Sequence, residues 1–331
     1  MTFTLEIHSA TAIAHPNIAL IKYWGNRDDT LNLPANGSIS FNLAALEART
    51  NVTFNLDFPA DQLVINQEPA GGLALARVSA MLDLVRAMAK LNVHALVEST
   101  LNFPIGTGIA SSAAGFAALA LAASRAAGLD LNDKKLSCLA RRGSGSACRS
   151  IPGGFVEWLP GISDETSYAV SFAAPDHWDL VDVIVVLQNQ PKKTGSREGH
   201  TIAFTSPLQE ARVADAPRRL QACRDAIRWK DFGALAEIIE LDSNMMHAVM
   251  MTSSPPLQYW EAGSIALMQA IPGWRSEGLQ VAYTLDAGPN VHLICARKDA
   301  EMVREKVLEV STPVDIIVSG IGGPARIVRS V

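Results

Sequence analysis

Val52, Phe54 and Leu56 alternate with polar residues across 49–56, the two-residue period of a half-buried strand. From Leu73 to Leu91 the period changes. Leu75, Val78, Leu82, Val85 and Met88 or Ala89 recur every three or four residues, which predicts an amphipathic helix carrying Arg77 and Arg86. A glycine-containing loop at 104–108 then leads into a small-residue helix from about Ser112 to Ala127, ended by Gly128. A helix starting near Asp133 is interrupted by Gly143-Ser-Gly-Ser-Ala-Cys-Arg-Ser150, and Gly153-Gly154 turns the chain into a strand at 155–158. The β-branched run 180–187 predicts a further strand. Residues 189–206 turn polar, with Lys192, Lys193, Arg197 and Glu198, and are expected to form a mobile loop. Beyond it, helical patterns near 207–229 and 231–250 precede strand-like segments at 281–285, 291–296 and 314–319.

This pattern, without repeats or low-complexity tracts, predicts an α+β chain of two mixed domains, 1–188 and 189–331. Its 331 residues carry 28 Lys and Arg against 33 Asp and Glu, a formal charge of −5. That balance argues against binding nucleic acid or an anionic membrane through bulk charge, while leaving room for a local basic pocket. The four cysteines form neither a CxxC pair nor a zinc-spaced cluster, so a reduced, cytoplasmic protein is expected. No secretory signal pattern opens the chain, and the most apolar stretch, Ala113 to Ala123, is too short to span a bilayer.

Four segments hold candidate chemistry. Gly106-Thr-Gly-Ile-Ala-Ser-Ser-Ala-Ala-Gly115 puts glycines and hydroxyls where a loop becomes a helix, so backbone N–H groups and serines can converge on phosphate oxygens. It is neither a Walker A loop nor a dinucleotide fingerprint, and taken alone it also reads as a turn feeding a packed alanine helix. Asn17 to Asp28 joins an apolar run to Lys22 and several polar side chains, although a lone lysine after a strand is more often a solvated charge. Ser144, Ser146 and Arg149 lie between glycines in a loop suited to presenting hydroxyls and a guanidinium to a carboxylate or phosphate. Asp286, at a strand end before Gly-Pro-Asn, is either a general base or a turn cap. His247, among methionines, reads as a packed core-edge residue. No resident metal is expected.

Taken together these segments resemble the mevalonate diphosphate decarboxylases of the GHMP kinase superfamily. The resemblance is carried by Pro16-Asn-Ile-Ala-Leu-Ile-Lys-Tyr-Trp-Gly25, Leu33-Pro-Ala-Asn-Gly-Ser-Ile-Ser40, Asn102-Phe-Pro104 with Gly108-Ile-Ala-Ser-Ser-Ala-Ala-Gly115, and Gly143-Ser-Gly-Ser-Ala-Cys-Arg-Ser150. Thr205-Ser-Pro207, Asp242-Ser-Asn244 with His247-Ala248, and Tyr283-Thr-Leu-Asp-Ala-Gly-Pro-Asn290 continue it in the family's order. It implies an N-terminal domain with a left-handed βαβ crossover, a C-terminal ferredoxin-like domain, and a homodimer. The implied reaction uses ATP with magnesium to phosphorylate the 3-hydroxyl of a phosphorylated mevalonate, after which phosphate and carbon dioxide leave. By the same resemblance Asp286 acts on the 3-hydroxyl beside Lys22, and Arg149 and Asn17 hold the carboxylate. Tyr23, Arg77, Ser144 and Ser146 are implied at the 5-phosphate end, and Gly106, Gly108, Ser111 and Ser112 at the ATP phosphates. The loop near 189–200 is implied to close over the nucleotide.

The chain departs from the family where Lys-Tyr-Trp-Gly-Lys is usual, because the second lysine is Asn26. Losing a cation beside a diphosphate removes about 1–3 kcal/mol of charge-assisted binding. The expected substrate is therefore mevalonate 5-phosphate, giving isopentenyl phosphate. The alternatives are mevalonate 5-diphosphate, with Arg27, Lys192 or Lys193 replacing the charge, a GHMP small-molecule kinase that stops at the phosphate ester, or a silent ATP or metabolite sensor.

Overall fold

The computed structural model describes residues 8–103, 111–188 and 195–330. The alternation at 49–56 becomes β6 (Ala48–Asn55), with Ala48, Thr50, Val52 and Phe54 buried on one face. It lies antiparallel between β1 (His8–Ala14) and β9 (His94–Leu101). The sheet continues through β7 (Gln62–Ile65) to β8 (Glu68–Pro69), and on its other side the last strand of the chain, β16 (Arg326–Ser330), pairs with β1. β7 runs parallel to β9, and α1 (Gly72–Ala89) connects them, as a parallel pair requires. Val78, Leu82 and Val85 of α1 pack with Val52, Phe54 and Val97. α2 (Ser111–Ala126) lies across β1 and β6. Its alanines let its backbone approach the sheet closely, and Ala113, Ala117, Ala120 and Ala123 are fully buried.

A second, antiparallel sheet has the order β11 (Tyr168–Ala173), β10 (Phe155–Leu159), β5 (Ser38–Asn42), β2 (Asn17–Ile21). A ribbon of β3 (Asn26–Asp28) and β4 (Leu33–Pro34) follows β2. The third sheet has the order β13 (Val281–Thr284), β14 (Val291–Ala296), β12 (Leu180–Val186), β15 (Asp315–Gly320). One face of it is covered by α7 (Ala262–Ser276) and α8 (Ala300–Val310), through Leu267, Ile271, Val303 and Val307. The other faces the hairpin of α5 (Gln209–Trp229) and α6 (Phe232–Thr252). That hairpin also packs on β2 and β5, so it lies between the second and third sheets. β12 precedes the boundary expected after residue 188, yet its hydrogen-bonding partners are the later strands β14 and β15.

The interrupted helix is α3 (Asp133–Gly143), followed by a 3-10 turn over Gly145–Ser150. The polar segment expected as a loop departs from that expectation, since α4 (Ser196–Ile202) and a 3-10 turn at Ala203–Thr205 fill its described part. Arg197 and Glu198 lie on the exposed side of that short helix, with Gly199 buried. Residues 189–194, with Lys192 and Lys193, lie outside the described residues. Among the described residues no helix is long and apolar enough to cross a membrane.

The sheets and the hairpin meet at a buried ionic network. β2 ends at Ile21, and Lys22 continues past its sheet partner, so its backbone groups need other bonds. Asp242 Oδ1 on α6 accepts from Lys22 N at 2.7 Å, and Arg212 Nη2 on α5 donates to Lys22 O at 2.8 Å. Arg219 Nε binds Asp242 Oδ2 at 2.6 Å, and Arg212 Nη1 reaches Asn36 Oδ1 at 3.2 Å. Arg212, Arg219 and Asp242 are all buried. Removing one partner of such a network strands the others without solvent. We predict that Asp242→Leu lowers stability by about 3–5 kcal/mol in urea denaturation. The double variant Asp242→Leu/Arg219→Met should lose less than the sum of the two single losses; additivity would show that the two side chains do not couple.

Candidate active site

Lys22 and Asp286 stand 264 residues apart in sequence, yet Lys22 Nζ meets Asp286 Oδ1 at 2.6 Å. The lysine is 1% exposed, not the solvated charge its isolated position suggests. Asp286 opens the connection between β13 and β14. The connection is fastened by Asn290 Oδ1, which accepts from the backbone N–H groups of Leu187 and Gln188 at 2.9 and 3.1 Å. Burial pushes the Asp286 carboxyl up, but Lys22, His292 and Arg149 outweigh it and hold the carboxyl below the ordinary range. It is thus ionised at neutral pH. Burial pulls the Lys22 ammonium down, and Asp286 opposes that pull. Below the pair, His292 Nδ1 bonds Asp182 Oδ2 at 2.6 Å, both fully buried.

Arg149 is placed by the 3-10 turn and is 3% exposed. Its Nε donates to Asn17 Oδ1 at 3.1 Å and its Nη1 to Ser38 Oγ at 2.7 Å, while the guanidinium stands 5.9 Å from the Trp158 ring. Among the described residues it makes no ion pair with a carboxylate. Asn17 completes the corner by donating to Ser146 O at 3.1 Å and Ser150 Oγ at 2.8 Å. A buried cation held by neutral partners leaves its charge to be balanced from outside the fold.

The serine-glycine motif has a steric reason. A Cβ on Gly145 would lie 2.6 Å from the Tyr23 hydroxyl oxygen and 2.8 Å from its ring, so only glycine lets Tyr23 lie flat against the turn. The Tyr23 hydroxyl donates to Asn26 Oδ1, and Asn26 Nδ2 donates to Asp29 Oδ1 at 2.9 Å. Asn26 therefore holds the tyrosine instead of supplying a charge. Arg77 turns inward from α1, with Nη2 on Gly143 O at 2.9 Å and its guanidinium 4.6 Å from the Phe116 ring. Burial, and then the like charge of Arg197, push its pKa down. Ser112 Oγ, in the first turn of α2, is 3.3 Å from Ser144 Oγ.

Lys22, Asp286, Arg149 and Asn17 thus form one corner, with Tyr23 and Ser146 beside it. Ser144, Ser112 and Arg77 border it at the junction of α1, α2 and α3, and Ser111 begins α2. Gly106 and Gly108 lie outside the described residues. Ser38, Asp242, Arg212, His200 and the Asp182–His292 pair escaped the sequence reading. Of these, Ser38 and Asp242 lie in the segments that carry the family resemblance. His247 is 1% exposed, with its ring 5.0 Å from that of Trp260, so it is deeper than a core edge. Among the described residues no group of three or more His, Cys, Asp or Glu side chains could hold a metal ion.

The arrangement unites an anionic oxygen, an ammonium beside it and a guanidinium within electrostatic reach of both, next to hydroxyls at a helix start. It suits a substrate with a hydroxyl, a carboxylate and phosphates. Residues 14–169 match the diphosphomevalonate decarboxylase-like N-terminal domain, and residues 182–323 match the mevalonate 5-diphosphate decarboxylase C-terminal domain. The chain is 38% identical to diphosphomevalonate decarboxylase mvd1 of Aspergillus fumigatus, covering 93% of this chain and 81% of that one. It is 34% identical to phosphomevalonate decarboxylase of Haloferax volcanii, covering 96% and 97%. Among solved structures, mevalonate diphosphate decarboxylase from Staphylococcus aureus superposes with a TM-score of 0.94 at 40% identity, covering 98% and 99%. A complex of MDDEF with MVAPP, AMPPCP and magnesium gives 0.92 at 37%, covering 97% and 99%. With both halves matched and relatives aligned over nearly the whole chain, this protein belongs to the diphosphomevalonate decarboxylase family, within the two-domain GHMP kinase fold.

Proposed function

We propose that the chain is an ATP-dependent decarboxylase of mevalonate 5-diphosphate, releasing isopentenyl diphosphate, carbon dioxide, ADP and inorganic phosphate. The observation that carries this reading is the Lys22–Asp286 pair beside the acid-free guanidinium of Arg149. Asp286 would accept the hydrogen bond of the 3-hydroxyl and take its proton as the γ-phosphoryl group arrives, with Lys22 offsetting charge on the transferring oxygens. Phosphorylation turns a poor leaving group into a good one. The C–O bond then breaks as the carboxylate, steered by Arg149 and Asn17, gives its electrons to the new double bond.

Asn26 argued for one phosphate fewer, but two features favour the diphosphate. The Aspergillus and Staphylococcus relatives carry that substrate in their names. Arg77 and Arg197 also lie within electrostatic reach of each other, and among the described residues neither makes an ion pair with a carboxylate. Two guanidiniums of like charge, Arg77 half-buried and Arg197 exposed, form an electropositive spot that a second phosphate would bridge. In this reading the pair supplies the charge expected of Arg27, Lys192 or Lys193. Arg27 instead spends a bond on Pro160 O at 2.8 Å.

ATP and magnesium belong to the same reading, supported by the nucleotide analogue and magnesium in the related complex. The hydroxyls of Ser112 and Ser144 are neutral, hard oxygens of the kind that magnesium and phosphate accept, and the ion would shield phosphate charge during transfer. Ser111 and Ser112 face the ATP phosphates in this reading, while Tyr23, Arg77, Ser144 and Ser146 take the 5-diphosphate. The reading also includes a reduced, cytoplasmic setting, in keeping with four free cysteines, and a homodimer, which light scattering would test.

Carbon dioxide release should show a kcat/KM for mevalonate 5-diphosphate at least about tenfold above that for the 5-phosphate, and Arg77→Ala or Arg197→Ala should erode that ratio. A higher kcat/KM for the monophosphate would overturn the substrate assignment. Asp286→Asn should lower kcat by about 10²–10⁴-fold with the fold intact by circular dichroism. Turnover equal to wild type would remove Asp286 from the chemistry.

A further inference from the structure

The ring of His200 ties α4 to the site. The imidazole of His200 stacks on Tyr23 with centroids 4.1 Å apart and planes 25° apart, and stands 4.7 Å from the Trp24 ring. Its Nδ1 accepts a hydrogen bond from Gly25 N at 3.0 Å. The fit is close on both sides. A Cβ on Gly199 would lie 2.3 Å from the Trp24 ring, and one on Gly25, whose φ is +89°, would lie 2.5 Å from Gln209 Nε2. Gln209 Nε2 in turn donates to Trp24 O at 2.8 Å. Nothing in this contact uses an opposite charge.

We propose that His200 is a positioning residue that seats α4 on Tyr23 and Gly25 only as the neutral imidazole, making closure over the substrate's phosphate end sensitive to acid. The hydrogen bond supplies the chemical reason. Nδ1 accepts from a backbone donor, so a proton added there would face another N–H and the bond would become a repulsion. The charges that reach the ring are cationic, Arg212 from α5 and Arg149 from the 3-10 turn. Tyr23, whose hydroxyl burial pushes up, is a neutral phenol, and Trp24 and Gly25 carry no charge. Burial first, then those two arginines, push His200 from 6.5 down to about 3. The sign follows. Seating is fully present above about pH 6.5, weakens as pH falls below it, and is lost by about tenfold per unit down towards pH 3. Arg197 lies three residues before His200 on α4, so unseating would also carry away a cation of the phosphate end. This last step rests on the assignment of Arg77, Arg197 and Tyr23 to the substrate's phosphates.

The test is amide hydrogen exchange at Gly25 in the ligand-free protein, corrected for the intrinsic pH dependence of exchange, at pH 7.5 and 5.5. Protection should fall by about tenfold in wild type and stay level in His200→Phe, which keeps a stacking ring but cannot titrate. Protection independent of pH in wild type overturns the proposal without reference to any variant, and an equal fall in His200→Phe does so too. Kinetics supply the second readout. His200→Ala should raise KM for the phosphorylated mevalonate several-fold at pH 7.5 with kcat within twofold, and a fall in kcat at constant KM would contradict a role in seating. Exchange without ligand judges the imidazole alone. Absence of carbon dioxide release by wild type would instead count against the functional reading and leave the exchange result standing.

Discussion

Asp242 decides where Lys22 stands. A strand that runs off its sheet must find other partners for its peptide groups, and at Lys22 those partners are the charged side chains of Asp242 and Arg212. Buried charge is costly to desolvate, and it persists here because each group makes several bonds at once. Asp242 serves Lys22 and Arg219, Arg219 also reaches Asp215, and Arg212 spans Lys22 and Asn36. The helical hairpin that brings these charges is the element between the second and third sheets. Displacing Asp242 would therefore loosen both the packing of the halves and the lysine's approach to Asp286. The charges do not balance within the network. Arg219 is met by Asp215 and Asp242, and Lys22 by Asp286, but the hydrogen-bond partners of Arg149 among the described residues are neutral. On the proposed reading the substrate carboxylate meets that surplus.

The sequence was most legible where periodicity and composition agreed. The alternation at 49–56, the stripe from Leu75 to Val85 and the alanine helix ending at Gly128 became β6, α1 and α2 within a residue or two. β9 does not stand out because its inward face, Ala95, Val97, Ser99 and Leu101, mixes apolar and polar residues, and β11 because Ala169 alone of its residues is fully buried. The helices α7 and α8 lack caps that read clearly from sequence, since the former starts at a glutamate and holds an internal proline. In the site, motif order pointed to Lys22, Arg149 and Asp286, but their meeting is a tertiary fact that no local spacing contains. Arg212 and Arg219 were invisible for a different reason. On a helix rich in arginine and aspartate, a buried arginine has the same sequence pattern as a solvated one, and only the partner distinguishes them. His200 lay in a segment whose polarity suggested a loop; the adjacent Gly199, required by the approach to Trp24, was the one usable signal.

On the proposed reading, the distribution of Arg149's bonds bears on how strongly a substrate carboxylate is held. Decarboxylation moves charge out of that carboxylate, so a site that gripped it with a full bidentate fork would stabilise the ground state more than the transition state. Arg149 has already committed Nε to Asn17 and Nη1 to Ser38, which leaves less than a free fork for the ligand. On the proposed reading it steers the carboxylate in a poorly hydrated corner without tightening on it. The low basicity of Asp286 fits the same logic. In a loose phosphoryl transfer the hydroxyl need not be ionised beforehand, and an aspartate held ionised by Lys22 can orient it first and accept the proton as the new bond forms. Both residues are thus weakened for their most obvious roles by the partners that place them. That weakening suits a reaction in which the hydroxyl must be aligned before it loses a proton, and the carboxylate held before it is released.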